Sequence, residues 1–183
     1  MAAEPAKSET VEVIFPAEAI AEGIDAMARR IADSCPRDLI VVAILKGSFV
    51  FAADLLRALH RAGLSPQVDF LSLSSYRSGT TSSGRVEIVR DIEMEVAGRN
   101  VLIVDDILES GRTLAFAKDL IAARGALRVA TCVLLDKPVR RAAEIAADFK
   151  VFECPEVFVV GYGMDLAHRL RELPFVGRLV DSG

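Results

Sequence analysis

A surplus of basic residues is missing from this sequence, and its absence sets the first limit on function. The 22 lysines and arginines are outnumbered by 26 aspartates and glutamates, which gives a net charge of -4. Proteins that follow a nucleic-acid backbone present an excess of positive charge along one face. We therefore expect no nucleic-acid partner.

Long apolar runs and cysteine motifs are also lacking. No uncharged apolar segment reaches the ~20 residues that a membrane-spanning helix needs, and residues 1–10 do not have the apolar stretch of a secretory signal. The three cysteines, Cys35, Cys132 and Cys154, are odd in number and widely spaced, which indicates buried thiols rather than disulfides or metal ligands. We expect no membrane partner and a cytoplasmic location.

The length and apolar content predict one domain. With 183 residues, of which 52% are hydrophobic, the chain can bury one substantial core but is short for two. We expect a disordered leader over residues 1–10 and a single domain over residues 11–183.

The spacing of apolar residues alternates between two periods. Ile20, Ile24, Met27 and Ile31 recur at helical spacing, and the aliphatic run Leu39–Leu45 is typical of a strand buried on both faces. Similar patterns predict helices over residues 49–62, 114–124 and 139–147, and strands over residues 68–73, 101–104, 129–135 and 157–160. The alternation predicts an α/β fold with a mostly parallel central sheet flanked by helices.

The middle of the chain breaks this rhythm. Residues 76–84 are rich in glycine, serine and threonine, and residues 85–95 resume with partial alternation. This composition predicts a mobile loop that leads into a small accessory hairpin. The alternative is an ordinary surface loop without a functional role.

Three carboxylates follow the strand that is predicted to end at residue 104, namely Asp105, Asp106 and Glu109. The carboxyl ends of strands in a parallel sheet form the ligand crevice, so these residues lie where a site is expected. Carboxylates repel phosphates but accept hydrogen bonds well from sugar hydroxyls. The acids therefore predict ribose contacts; the alternative is a helix cap at Asp106 and a solvated strand end at Asp105.

The next four residues, Ser110, Gly111, Arg112 and Thr113, have the composition of an anion site. Glycine lets the backbone approach a ligand, the first amides of the following helix are free donors, and the two hydroxyls add hydrogen bonds. The loop contains neither GxxxxGK[ST] nor GxGxxG, the signatures of triphosphate and dinucleotide sites. The sequence therefore predicts a phosphorylated ribose at residues 105–113.

Residues 101–120 resemble the phosphoribosyl-diphosphate-binding signature of type I phosphoribosyltransferases, and further motifs between residues 10 and 180 resemble the hypoxanthine-guanine members of that family. The resemblance implies a type I fold with an accessory hairpin, or hood. It implies transfer of a phosphoribosyl group from 5-phosphoribosyl diphosphate to hypoxanthine or guanine, giving IMP or GMP and pyrophosphate. It also implies Mg²⁺ as cofactor and a homodimer or homotetramer.

Some of these motifs concern pyrophosphate and closure of the site. Lys46 and Gly47 resemble the family's pyrophosphate-binding loop, in which a cis peptide bond precedes the lysine, and Arg171 matches an arginine that contacts pyrophosphate. Ser75 and Tyr76 resemble the start of the flexible loop that closes over the site and excludes water.

Other motifs concern the purine and the metal. Lys137 matches the family's lysine that donates to the purine six-position oxygen, and Phe158 and Val159 match the stacking aromatic ring and the backbone that reads the purine edge. Asp165 matches the metal-binding carboxylate. Taken singly, each would be a surface charge or a core residue.

One position departs from the family pattern. The family usually has aspartate where this chain has Glu109, at the position credited with proton exchange at the purine ring. Glutamate keeps the carboxylate and adds a methylene, so its reach and rotamers differ. Proton transfer requires hydrogen-bond distance more than one residue type, and we assign the general acid/base role to Glu109.

Two other functions are compatible with the ribose-phosphate loop. One is a regulatory module of the same fold that senses nucleotides, and the other is a phosphoribosyltransferase for uracil, adenine or xanthine. The acidic balance and the combination of Lys137, Phe158 and Asp165 favour the enzyme over the sensor. Lys137 and Phe158 favour a six-oxo purine, but the sequence does not set the preference between hypoxanthine and guanine.

Overall fold

A computed structural model of the protein describes residues 10–75 and 86–180. Their elements alternate between strand and helix through most of the chain. In order they are β1 (Thr10–Phe15), α1 (Ala17–Ser34), β2 (Leu39–Leu45), α2 (Phe49–Arg61), β3 (Gln67–Ser75), β4 (Val86–Arg90), β5 (Asn100–Leu108), α3 (Arg112–Ala123), β6 (Arg128–Asp136), a 3-10 turn (Pro138–Arg140), β7 (Phe149–Glu153), β8 (Val159–Val160) and β9 (Val176–Val180).

The central sheet has six strands in the order β4-β3-β2-β5-β6-β7. All neighbours are parallel except β4, which pairs antiparallel with β3 at one edge. The predicted α/β fold with a mostly parallel sheet is confirmed. Of residues 85–95, where an accessory hairpin was expected, only Val86–Arg90 form a strand, and this strand belongs to the central sheet. A second, smaller antiparallel sheet has the order β1-β9-β8.

Helices cover both faces of the central sheet. Alternate residues of β2 belong to two different apolar clusters: Val41 and Ala43 pack with α1 and α2, whereas Ile40, Val42 and Ile44 pack with α3. Residues 39–44 are all buried because both sides of the sheet are occupied, which is why the strand is aliphatic throughout rather than alternating.

The prediction of a helix over residues 139–147 is wrong. Only Pro138–Arg140 form a short 3-10 turn, and the chain then runs without regular structure to β7. The amides of Ala142 and Ala143 donate to the carbonyl oxygen of Ser110, at 2.8 and 3.1 Å, instead of to carbonyls within a helix. Contacts with the loop before α3 therefore override the local helical spacing.

The prediction that residues 157–160 form a strand of the central sheet is also wrong. Only Val159–Val160 are extended, and they belong to the small sheet. The outer parallel strand is β7, which the sequence pattern did not reveal. β1 and β9 were not predicted either, because they pair with each other from opposite ends of the chain, as in Thr10 with Val180.

The three cysteines are buried and free, as predicted. Burial raises the pKa of Cys132, with a smaller contribution from nearby Cys35, so the thiol is strongly favoured over the thiolate. Within residues 10–75 and 86–180, no helix has the length and apolar character needed to cross a membrane.

Candidate active site

The ends of β2 and β5 lie where the central sheet changes its direction of winding. From β2 the chain continues to β3 on one side, and from β5 it continues to β6 on the other, although β2 and β5 are neighbours. In open α/β sheets such a position opens a crevice beyond the carboxyl ends of the strands. The loop after β2 and the end of β5 meet at this crevice.

The loop after β2 begins with an unusual bond. The peptide bond between Leu45 and Lys46 is cis, as the family resemblance implies. Ser48 is fully buried, and its hydroxyl donates to the carbonyl oxygen of Ile44 at 2.5 Å. Gly163 approaches the loop so closely that a β-carbon on Gly163 would be 2.3 Å from the carbonyl oxygen of Gly47. The loop is therefore enclosed on the side of residues 161–173.

Two adjacent carboxylates stand at the end of β5. Asp105 accepts a hydrogen bond from the amide of Asp106 at 3.1 Å, and Asp106 accepts one from the amide of Ile107 at 3.0 Å. Burial raises the pKa of Asp105 well above its usual range, and the charge of Asp106 adds to this effect. Burial also raises the pKa of Asp106, although a hydrogen bond from Asp105 and the charge of Arg171 oppose the rise. The pair therefore holds a proton more readily than free carboxylates do.

One cavity of about 590 Å³ opens beside these carboxylates. Two adjacent residues of a strand point to opposite sides, so contact of both aspartates with one ribose suggested a turn directly after them. β5 instead continues to Leu108. Both aspartates nevertheless line the cavity. Gly111 has φ +80° and directly precedes α3, so the first free amides of the helix follow it. The predicted residues that line this cavity are Lys46, Gly47, Asp105, Asp106, Glu109, Ser110, Gly111, Arg112 and Thr113.

A second cavity of about 190 Å³ adjoins the first, and Asp106, Ile107 and Glu109 line both. The Nζ atom of Lys137 donates to the carbonyl oxygen of Val157 at 2.6 Å and lies 3.8 Å from Oε1 of Glu109. Lys137 is only 4% exposed. The other predicted residues that line this cavity are Phe158, Val159 and Asp165.

The aromatic residue of this cavity differs from a core phenylalanine. Phe158 is 59% exposed, whereas its neighbour Val159 is buried and belongs to β8. An apolar ring that stays open to solvent beside a lysine ammonium offers a flat surface for stacking. The small cavity thus combines a ring, a cationic donor and a carboxylate.

Arg171 and Asp165 form an ion pair behind the small cavity. Nη2 of Arg171 is 2.8 Å from Oδ1 of Asp165, and Nη1 donates to the carbonyl oxygen of Gly163 at 2.6 Å. The other oxygen of Asp165 accepts from the amide of His168 at 2.7 Å. Arg171 lines neither of the two cavities above; it lines a mainly apolar cavity of about 730 Å³ between α1, α2 and residues 171–174.

The flexible-loop prediction falls at the edge of the described residues. Ser75 is the last residue of β3, and Tyr76 lies outside the described residues. Sequence reasoning missed other cavity-lining residues, among them Ile107, Arg140, Ala142 and Met164. Arg140 and Ala142 were missed because their segment was expected to be a helix, whereas Met164 carried no signal of its own beside Asp165.

Comparisons with known proteins agree with this geometry. A family profile described as "Phosphoribosyl transferase domain" matches residues 10–167. The chain is 40% identical over 174 residues to the hypoxanthine phosphoribosyltransferase of Escherichia coli K12, with 93% of this chain and 96% of the relative covered. It is 39% identical over 173 residues to the hypoxanthine-guanine phosphoribosyltransferase of Dictyostelium discoideum, with the same coverage of 93% and 96%.

A solved structure gives the same result. The crystal structure of a hypoxanthine-guanine phosphoribosyltransferase from Bacillus anthracis matches with a TM-score of 0.86 and 38% identity, covering 92% of this chain and 98% of that one. Similarity in sequence and in fold thus extends over nearly the whole length of both proteins. The chain therefore belongs to the phosphoribosyltransferase family, in its hypoxanthine-guanine branch.

Proposed function

We propose that this protein is a purine salvage enzyme that transfers a phosphoribosyl group from 5-phosphoribosyl diphosphate to N9 of hypoxanthine, and also of guanine. The products are IMP or GMP and pyrophosphate. The observation that carries this proposal is the pair of adjoining cavities that share Asp106 and Glu109. One has the donors and acids that suit a ribose phosphate, and the other has the ring and lysine that suit a six-oxo purine.

In the larger cavity, the free amides after Gly111 and the hydroxyls of Ser110 and Thr113 bind the phosphate monoester. The guanidinium of Arg112 lies at the same helix start and adds positive charge there. The neighbouring carboxylates accept hydrogen bonds from the ribose hydroxyls. This division of roles is supported by the position of the anion donors at a helix terminus and of the acids at a strand end.

In the smaller cavity, the ammonium of Lys137 donates to the six-position oxygen of the purine. The ring of Phe158 stacks on the base, and backbone groups of Val159 read its edge. Glu109 exchanges the proton of the purine ring, since its carboxylate lines the same cavity and lies close to Lys137. A cationic donor favours a carbonyl over an amino group at that position, which supports hypoxanthine and guanine over adenine.

Lys46, Gly47 and Arg171 bind the pyrophosphate group, and Ser75 and Tyr76 begin the loop that closes over the bound substrates. For Lys46 and Gly47 the support is their place in the lining of the larger cavity, where Gly47 lies directly against Asp106. For Arg171 the support is its ion pair with Asp165, which ties it to the smaller cavity. The closing loop is supported by the family resemblance.

The reaction passes through a transition state with positive charge on the ribose carbon. The carboxylates of Asp105 and Asp106 are fixed by backbone hydrogen bonds before substrate arrives, so they stabilise that charge without reorganising. Burial raises the pKa values of both aspartates, and positive charge on the ribose carbon favours their ionised forms.

Mg²⁺ is the proposed cofactor. Among the described residues, no group of three or more histidine, cysteine, aspartate or glutamate side chains forms a ready metal site. This fits Mg²⁺, which takes one or two protein carboxylates together with water and substrate phosphates. Asp165 is the proposed protein ligand, and the bound ion supplies charge neutralisation of the departing pyrophosphate.

We further propose that the enzyme forms a homodimer or homotetramer and works in the cytoplasm. Phe49, next to the pyrophosphate loop, is 46% exposed, and such large exposed apolar side chains suit a subunit contact. The buried free thiols suit a reducing compartment. Light scattering during size-exclusion chromatography measures the number of subunits.

The test of the proposed activity is an assay of the purified chain with 5-phosphoribosyl diphosphate, Mg²⁺ and one base at a time. We expect hypoxanthine and guanine to give their nucleotides with stoichiometric pyrophosphate, and adenine and uracil to give little product. A protein that binds nucleotides but converts none of these bases would be a sensor instead. Comparable rates with adenine would contradict the role of Lys137.

A further inference from the structure

The irregular segment after β6 packs against the back of the phosphate loop, defined here as Ser110 to Thr113. Both Ala142 and Ala143 donate their amides to the carbonyl oxygen of Ser110, at 2.8 and 3.1 Å. A β-carbon on Gly111 would meet Cγ2 of Ile145 at 2.7 Å and Cδ of Arg141 at 3.1 Å. The left-handed turn at Gly111 is therefore backed directly by the stem of Arg141.

The guanidinium of Arg141 is anchored at its other end. Its Nη2 atom donates to Oδ1 of Asp136, and the two side chains are only 19% and 12% exposed. The second carboxylate oxygen of Asp136 accepts from Nζ of Lys150 at 3.0 Å. The backbone carbonyl of Asp136 accepts from the amide of Cys154 at 2.8 Å. Asp136, which makes these three contacts, thus holds Arg141 in place.

A second nitrogen of this guanidinium, Nη1, is buried and has no hydrogen-bond partner among the described residues. A buried donor without a partner lowers stability, so an apolar side chain of similar length would suit the site better on packing grounds alone. The presence of arginine here therefore indicates a role other than filling space.

We propose that Arg141 is a positioning residue for 5-phosphoribosyl diphosphate: held by Asp136, it supports the turn at Gly111 so that the amides of the phosphate loop meet the phosphate monoester. This inference rests on the proposed function of that loop. It assigns no contact between Arg141 and substrate. The side chain acts through Gly111, on which its stem lies.

The effect should be confined to one substrate. The purine lysine, Lys137, is held independently of Arg141, because its Nζ donates to Val157 and its amide donates to Leu108 at 2.9 Å. Loss of Arg141 should therefore loosen the phosphate loop and leave the purine donor in place. This selectivity separates a positioning role from a general loss of folding, which would affect both substrates.

The experiment compares five variants with the wild-type protein in steady-state assays that vary each substrate in turn. Arg141→Met keeps the aliphatic stem on Gly111 but removes the ion pair, and Asp136→Asn removes the anchor. Their combination closes a double-mutant cycle. Arg124→Met is the matched control, because it also removes a partly buried arginine from an ion pair, with Asp91, but at the other end of α3 from Gly111. Thermal unfolding of each variant reports whether it is folded at the assay temperature.

We expect Arg141→Met and Asp136→Asn each to raise KM for 5-phosphoribosyl diphosphate about tenfold, equivalent to about 1.4 kcal/mol, with less than a twofold change for hypoxanthine. The double variant should be no worse than either single one, and Arg124→Met should match the wild type. Arg141→Lys, which keeps a charge for Asp136, should recover part of the loss and serves if Arg141→Met does not fold.

Equal changes in both KM values, no change in either, or full additivity in the double variant would overturn the positioning role. The activity of the wild-type protein distinguishes a failure of the Arg141 proposal from a failure of the proposed function. If the wild-type protein makes no nucleotide from hypoxanthine, the proposed function itself is wrong; if it does, these outcomes concern Arg141 alone.

Discussion

A β-carbon on Gly47 would lie 1.9 Å from Oδ2 of Asp106, so the loop after β2 and the carboxylate at the end of β5 touch with no space for a side chain between them. Both residues line the larger cavity. The glycine is therefore required by the neighbouring strand, and its position fixes where the Asp106 carboxylate can lie.

Gly47→Ala should move the Asp106 carboxylate out of place and lower kcat/KM for 5-phosphoribosyl diphosphate at least about tenfold, or about 1.4 kcal/mol. In an Asp106→Ala background, Gly47→Ala should lower kcat/KM by less than about twofold, because the carboxylate that the new methyl group would meet is absent. Steady-state assays of the two single variants and the double variant measure this. An alanine variant with wild-type activity would contradict the contact.

Lys137→Met should weaken purine use far more than use of the phosphoribosyl donor. A hydrogen bond from a charged group contributes about 1.5 to 3 kcal/mol, so KM for hypoxanthine should rise at least about tenfold. KM for 5-phosphoribosyl diphosphate should change less than about twofold. The ratio of kcat/KM for hypoxanthine to kcat/KM for adenine should fall. Equal losses for both substrates would show that Lys137 does not read the base.

Phe158→Ala should affect binding of the base without affecting stability. Stacking contributes about 0.5 to 1.5 kcal/mol, which predicts a rise in KM for hypoxanthine of about two- to tenfold. Leu127→Ala is the matched control, because Leu127 is also exposed, at 72%, and lies away from both cavities. Both variants should keep Tm within about 2 °C of the wild type; a large drop for Phe158→Ala alone would make this residue part of the core.

Asp105→Asn should stabilise the fold at neutral pH while it lowers activity. Because burial raises the pKa of Asp105 above its ordinary 3.8, the folded state binds the proton more tightly than the unfolded chain does. The contribution of Asp105 to stability is therefore full below pH 3.8 and is lost as pH rises through the raised pKa. Asparagine at position 105 does not ionise, so the Asp105→Asn variant keeps its stability as pH rises.

Urea unfolding at several pH values between 4 and 8 measures this effect. The stability gain of Asp105→Asn should be largest near pH 7 and should shrink towards pH 4, with each kcal/mol equivalent to about 2 to 4 °C in Tm. Asp33→Asn, on the exposed face of α1, is the control and should show no such trend. A gain that does not depend on pH would point to packing rather than charge.

Asp165→Asn should raise the Mg²⁺ concentration needed for half-maximal rate about tenfold, because the variant loses a carboxylate charge beside the pyrophosphate site. Chelation by EDTA should stop the wild-type reaction, and added Mg²⁺ should restore it. Glu172→Gln, an exposed neighbour, is the control. An unchanged Mg²⁺ dependence in Asp165→Asn would remove this residue as a metal ligand.

Much of the central sheet could be predicted because the residue pattern of each strand is contained within that strand. Leu39–Leu45 is predicted to the residue, since a strand buried on both faces must be aliphatic throughout. The grouping of Asp105, Asp106 and Glu109 with residues 110–113 around one cavity could also be predicted, because acids, a glycine and hydroxyls appear together between a strand and a helix. In both cases the chemistry lies within one short segment.

The rest depends on contacts between distant segments. Residues 139–147 have helical spacing, but the carbonyl of Ser110 captures two of their amides. β1 and β9 pair across most of the chain, and no local pattern reports a partner so far away. The proposed roles of Arg141 and Asp136 were missed for the same reason, since Arg141 contacts Gly111 of a distant segment and Asp136 acts through Arg141.

β9 lies between β1 and β8 in the small sheet, with Gly177 opposite both Val13 and Val160. β8 begins immediately after Phe158, so the final strand braces the wall on which the base is selected. Separation of β9 from its two neighbours would therefore also release β8 and the backbone next to Phe158, so the smaller cavity depends on a strand that lines neither cavity.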